Sequence, residues 1–201
     1  MKLLSATRFI TAFILLLASI QSYADQWYHV ELVVFEQLST GTNEQWPAMS
    51  GNDITASLAP GMASSYIQPA TNNTLNTIAS RLSSSSQYRV HYHQSWQQYI
   101  MRQGGAKAVK IASANGLIEG TVRLDKATYL HASVDLWLKL NASQVNSWSD
   151  ASSTGTNFNA PRNPHLVESR RIRSNDLDFF DHPKMGALLK ITPIKTPAAV
   201  Q

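Results

Sequence analysis

The stretch GLIEGTVRLDKATYLHASVDLWLKL, residues 116–140, constrains the fold more than any other part of the chain. In its first half Ile118, Val122 and Leu124 alternate with Glu119, Thr121 and Arg123. In its second half Leu130, Ala132, Val134, Leu136 and Leu138 alternate with Tyr129, His131, Ser133, Asp135 and Trp137. A period of two is the mark of a strand with one covered and one wet face. A turn at Asp125-Lys126-Ala127 would join the halves into a hairpin, so the chain must supply something apolar to cover one side of an antiparallel sheet.

The flanking segments supply it. WYHVELVVF, Trp27 to Phe35, is apolar on both faces and reads as a central strand. Leu75, Ile78, Ala79 and Leu82 have the spacing of one helix face, with Thr71 or Thr74 as N-cap and an end in the run Ser83 to Ser86. YRVHYHQSW, Tyr88 to Trp96, is a strand with Tyr88, Val90, Tyr92 and Trp96 on one face and Arg89, His91 and His93 on the other. A loop from Gln97 to Ala106 and a short strand from Lys107 to Ile111 follow. After the hairpin, LVESRRIRS is a strand, DLDFFDHP a turn, and GALLKITPI, Gly186 to Ile194, the last strand. Residues 39–73 and 141–165 are low in complexity and read as two long flexible loops. The expected fold is α+β, a mostly antiparallel sheet with a helix on its apolar face and a ferredoxin-like core.

Residues 1–24 read as a cleaved secretory signal peptide: a basic head with Lys2 and Arg8, the apolar run Phe9 to Ile20, then Ser22-Tyr23-Ala24. That run is 12 residues, short of the roughly 20 that span a bilayer. No cysteine follows it, so no lipid anchor is expected, and 25–201 reads as one exported domain without a membrane anchor. Without Lys2 and Arg8 the 17 basic residues become 15 against 13 acidic, a formal charge of +2. Such a weak bias, in an exported chain, argues against nucleic acid as a partner. The absence of cysteine removes disulfides, thiol catalysis and thiolate metal sites.

Catalytic patterns are weak. There is no G-x-S-x-G elbow and no S-x-x-K, so no catalytic residue and no cofactor are assigned. Glu31 with Glu119 is a carboxylate pair only in principle. His91 and His93 form H-x-H, with His131 or Glu31 as a third ligand, which is the basis for an alternative metal-dependent hydrolase; the wet sheet face is the simpler reading, and no metal site is assigned. The hairpin's wet face is a better candidate. Arg123, Tyr129, His131, Asp135 and Trp137 would stand together there, flat rings beside hydrogen-bonding groups, as a polymer or sugar requires.

WYHVELVVFEQ, HYHQSWQQ, the hairpin and ESRRIRSNDLDFFDHPKMGALLKITP together resemble CsiV, a family of periplasmic peptidoglycan-binding proteins. Arg170-Arg171-Ile172-Arg173-Ser174 and Asp181-His182-Pro183, with Gly186 after them, are the most specific pieces. The resemblance implies a non-enzymatic periplasmic protein that binds peptidoglycan. It also implies support of cell-wall synthesis by a bifunctional, class A penicillin-binding protein with its outer-membrane lipoprotein activator. A pure protein–protein adaptor of the same machinery is the alternative. Arg171 and Arg173 share a strand face, and could fork carboxylates of the stem peptide. They could equally clamp Asp176, Asp178 or Asp181, and the short sequence separation favours the clamp.

Overall fold

The computed structural model describes residues 26–39, 41, 44–49, 56, 58–140 and 162–200. Nine strands and one α-helix are described: β1 (Gln26–Gln37), β2 (Ile67–Pro69), α1 (Asn76–Ser84), β3 (Tyr88–Ile100), β4 (Ala108–Ala112), β5 (Ile118–Lys126), β6 (Leu130–Leu138), β7 (His165–Ile172), β8 (Leu177–His182) and β9 (Met185–Pro193). They form two sheets, not one. The first has five strands in the order β2-β3-β1-β9-β8, the second four in the order β4-β5-β6-β7. Mostly antiparallel strands with a helix were expected. The ferredoxin-like core, a single sheet, does not describe this pairing.

The two sheets share one core. Val30, Leu32 and Val34 from β1, Trp96 from β3 and Leu189 from β9 pack with Val122, Leu124, Val134 and Leu136 of the hairpin, all at most 1% exposed. Burying each large side chain contributes roughly 1.5–3 kcal/mol relative to leaving it wet. The hairpin's apolar face is thus covered by a second sheet rather than by the helix. α1 lies instead on the opposite face of the five-stranded sheet, where Leu75 and Ala79 pack with Val33 and partly cover Ile78, Leu82, Val90 and Leu188. β1 is the middle layer, and every residue from Trp27 to Glu36 is buried.

The helix start is built by a distant carboxylate. Its N-cap is Leu75, which offers no side-chain cap, so neither Thr71 nor Thr74 fills the role in the expected way. Glu31 of β1, with no exposed surface, accepts from the Leu75 N–H through Oε1 (2.9 Å) and from the Thr74 N–H and hydroxyl through Oε2 (both 2.7 Å). His93 Nε2 lies 2.7 Å from Oε1. A buried negative charge facing a helix N-terminus is favoured by the helix dipole.

Several local expectations change. β3 runs on to Ile100, through half of the expected loop. The register between β1 and β3 shifts after Val34, which pairs with Tyr92 while Phe35 pairs with Val90. His91 is the extra residue of a β-bulge, and side-chain alternation reverses across it. Tyr92 and Trp96 therefore face the shared core, while Val90 packs under the helix. The DLDFFDHP segment is the strand β8, hairpinned to β9 through Pro183-Lys184. Residues 39–73 include β2 and a bridge from Leu58 to Val109, whereas 141–161 lie outside the described residues.

Two glycines are demanded by packing. Gly120 has φ 156°, and a Cβ there would strike the β6 backbone at Asp135 and Leu136. At Gly186 a Cβ would come within 2.5 Å of the Phe35 ring and 2.7 Å of the Phe179 ring. Those rings are parallel, 6.2 Å apart, and cover the glycine in place of a side chain.

Burial would raise the Glu31 pKa, but its hydrogen bonds with His93, Leu75 and Thr74 outweigh that and hold it below the ordinary 4.5. Glu31 therefore stabilises the fold fully above pH 4.5 and loses that contribution as pH falls through its depressed value. Glu31→Gln should cost about 1.5–3 kcal/mol in urea unfolding at pH 7, the typical size for charge-assisted hydrogen bonds. The gap from wild type should narrow only below pH 4.5. A gap that instead widens on acidification would show that the carboxylate is not stabilising.

Candidate functional site

The outer face of the four-stranded sheet carries polar side chains on all four strands. Strand register arranges it in rows. Glu119 of β5 stands beside Trp137 of β6 and His165 of β7; Thr121 beside Asp135 and Val167; Arg123 beside Ser133 and Ser169; Asp125 beside His131 and Arg171. Lys110 of β4 extends the second row. The alternation of the hairpin that turns its aliphatic residues inward is what turns these outward.

Arg123, His131, Asp135, Trp137 and Arg171 are therefore brought to one face. Tyr129 sits in the turn before β6, and the Arg171 guanidinium lies over its ring, 3.2 Å from the centroid. Arg173 lies exposed just past the end of β7. Trp137 is only 2% exposed, and the His165 imidazole stacks on it at 3.6 Å and 11°. His165 Nε2 is 2.7 Å from Asp135 Oδ1, which fixes the ring over the indole. The sequence reading missed His165 by leaving it in a loop. The spacing His165, Val167, Ser169, Arg171 is the signal that places it.

Acids and bases are unevenly engaged on this face. Glu119 is ion-paired with Lys139, Asp135 is hydrogen-bonded to His165, and Asp125 faces His131 at 3.9 Å. Lys110 and Arg171 are exposed and Arg123 is partly so. The Ser133 and Ser169 hydroxyls share a 2.9 Å hydrogen bond in the row of Arg123. The surface is cationic, donor-rich and open.

The metal alternative does not assemble. The bulge turns His91 away from His93: His91 Nε2 is 3.0 Å from Glu36 Oε2, and Nδ1 accepts from Asn115 of the β4–β5 turn. His93 binds Glu31 beneath the helix, and His131 is on the outer face of the other sheet. No three metal-ligating side chains cluster among the described residues. Glu31 and Glu119, the carboxylate pair, are likewise on different sheets, and Glu31 is committed to α1.

The arginine run points three ways, and the clamp belongs to Arg170. Its guanidinium reaches Glu168 (3.3 Å) and Asp178 (3.8 Å), donates to the Phe179 carbonyl and lies 4.2 Å from the centroid of the Phe180 ring. It thereby joins β7 to β8, edge strands of the two sheets. Burial pushes the Asp178 carboxyl up against the opposing charge of Arg170, with Asp176 adding to the rise. Asp181 accepts from Gln37 Nε2, and His182 Nδ1 accepts the Lys184 N–H. Burial pushes the His182 imidazole down, which favours the neutral acceptor this turn needs. The Asp-His-Pro sequence is thus engaged in the β8–β9 turn.

Arg170→Lys should lower stability by about 1–2 kcal/mol, because lysine cannot fork carbonyl and carboxylate together. Arg171→Lys should stay within about 0.5 kcal/mol, as expected for an exposed position. Thermal melting of both variants checks this; equal losses would contradict the assignment of the clamp to Arg170.

The model of CsiV, described as a peptidoglycan-binding protein, matches residues 7–194. No curated protein and no solved structure is matched by the chain. The match runs through both sheets, the helix and the whole outer face just described. The chain belongs to the CsiV family of peptidoglycan-binding proteins.

Proposed function

We propose that this is a non-enzymatic periplasmic accessory protein that binds peptidoglycan through the outer face of its four-stranded sheet. The observation that carries the reading is the family match over residues 7–194. The geometry supports it. That face is flat and rich in cations and hydroxyls, and its rings are fixed rather than mobile. Arg123, His131 and Arg171 are the contact residues of the proposal, with Tyr129 supporting Arg171 and Arg173 at the rim. Asp135 and Trp137 hold His165 in place. The family implies a cell-envelope location. Cleavage after Ala24 would release 25–201 as one domain.

In this reading the protein supports wall synthesis by a class A penicillin-binding protein and its outer-membrane lipoprotein activator. A pure adaptor role is the second reading. Leu177 and Phe179, each 43% exposed, favour it, since they form an apolar pair on β8, the edge strand of the five-stranded sheet. The two readings separate by ligand. At low salt the purified protein should sediment with isolated sacculi, and moderate salt should weaken it, because exposed ion pairs are screened. Protein left wholly in the supernatant at low salt would leave the adaptor reading standing alone.

A further inference from the structure

We infer that the outer face of β5, β6 and β7 recognises the free carboxylates of the wall's peptide stems and not its sugar rings. The inference rests on the peptidoglycan-binding reading and sharpens its ligand. Sugar recognition on a flat surface relies on aromatic rings offered face-on to the apolar side of a pyranose. The described part of this face carries two such rings, and both are taken. The Trp137 indole is buried with the His165 imidazole parallel to it at 3.6 Å. The Tyr129 ring has the Arg171 guanidinium 3.2 Å from its centroid. A sugar would reach the indole only by displacing the imidazole that Asp135 holds at 2.7 Å, and on Tyr129, 47% exposed, it would find one ring face already taken by a cation.

What remains on offer is a set of N–H and O–H donors. Arg171, stacked on Tyr129, has its planar donor edge left to bind, already oriented by the ring. Arg123 stands two residues along the sheet on β5, with the paired Ser133 and Ser169 hydroxyls in its own row. The acids on this face have partners of their own: Glu119 pairs with Lys139, Asp135 binds His165, and Asp125, 4% exposed, faces His131 at 3.9 Å. A bidentate guanidinium matches a carboxylate in shape as well as charge. In peptidoglycan the N-acetylated glycan is neutral where the lactyl group is amide-linked to peptide, while the stem peptides carry free carboxylates. The chemistry of the face therefore selects the peptide.

The test is competition for sacculi. The purified protein is sedimented with sacculi at low salt in the presence of one of three soluble competitors: disaccharide-peptides with free carboxylates, the same molecules with the carboxylates amidated, or peptide-free glycan strands whose lactyl carboxylates have been amidated. The inference expects the free-acid form to compete about tenfold or more better than the other two, the scale of one lost charge-assisted pair. Glycan strands competing as well as the free acid would overturn it while leaving peptidoglycan binding intact. A wild-type protein that fails to sediment without competitor would overturn the binding reading and this inference with it. Arg123→Gln with Arg171→Gln should reduce sedimentation at least about tenfold with unchanged melting; undiminished sedimentation would also overturn the inference.

Discussion

Burial of β1 on both faces is the constraint from which the rest of the architecture follows. Tyr28, Val30, Leu32 and Val34 face the four-stranded sheet, and Val33 faces α1. A strand apolar on both sides must be an inner layer. Because β1 is central, its fully buried acid, Glu31, has to find partners within the protein, and it finds them in His93 and in the first amides of α1. The helix is thereby fixed over the β1–β3 half of its sheet. Its own short amphipathic face would not hold it there as an isolated segment.

The same layering decides which surface is left for a ligand. The five-stranded sheet spends its outer face partly on the helix, and the shared core takes both inner faces. The outer face of β4 to β7 remains, rigid because each of its strands is anchored from beneath. At the rim, Arg170 reaches from β7 to Asp178 and the Phe179 carbonyl of β8 and closes the sandwich edge. The neighbouring Arg171, one residue on and therefore on the opposite side of the strand, is left facing outward. Of two neighbouring arginines, the inward one ties the sheets together and the outward one is left at the surface.

Much of this was legible in the sequence, and the failures have physical causes. The strict alternation of 118–138 located β5, β6 and their wet face, and the spacing of Leu75, Ile78, Ala79 and Leu82 located α1. The layer order was not legible, because an apolar strand face does not say whether a helix or a sheet will cover it. A carboxylate capping a helix 44 residues away leaves no local signature. His91 and His93 were placed on one face because a period of two assumes an unbroken ladder, and the bulge opposite Val34 and Phe35 breaks it. The clamp was assigned to Arg171 and Arg173 by proximity to acids, but parity gives it to Arg170. The DLDFFDHP segment reads as a turn with Phe179 or Phe180 in the core; Phe180 is core, but the segment is a strand and Phe179 covers Gly186.

In the proposed reading, peptidoglycan meets the protein on the outer face of β5, β6 and β7. Amide chemical-shift mapping with soluble disaccharide-peptides tests it most directly. Shifts should concentrate at Arg123, His131, Ser133, Ser169 and Arg171, which register places side by side. Shifts confined to α1 and to Leu177 and Phe179 of β8 would contradict it.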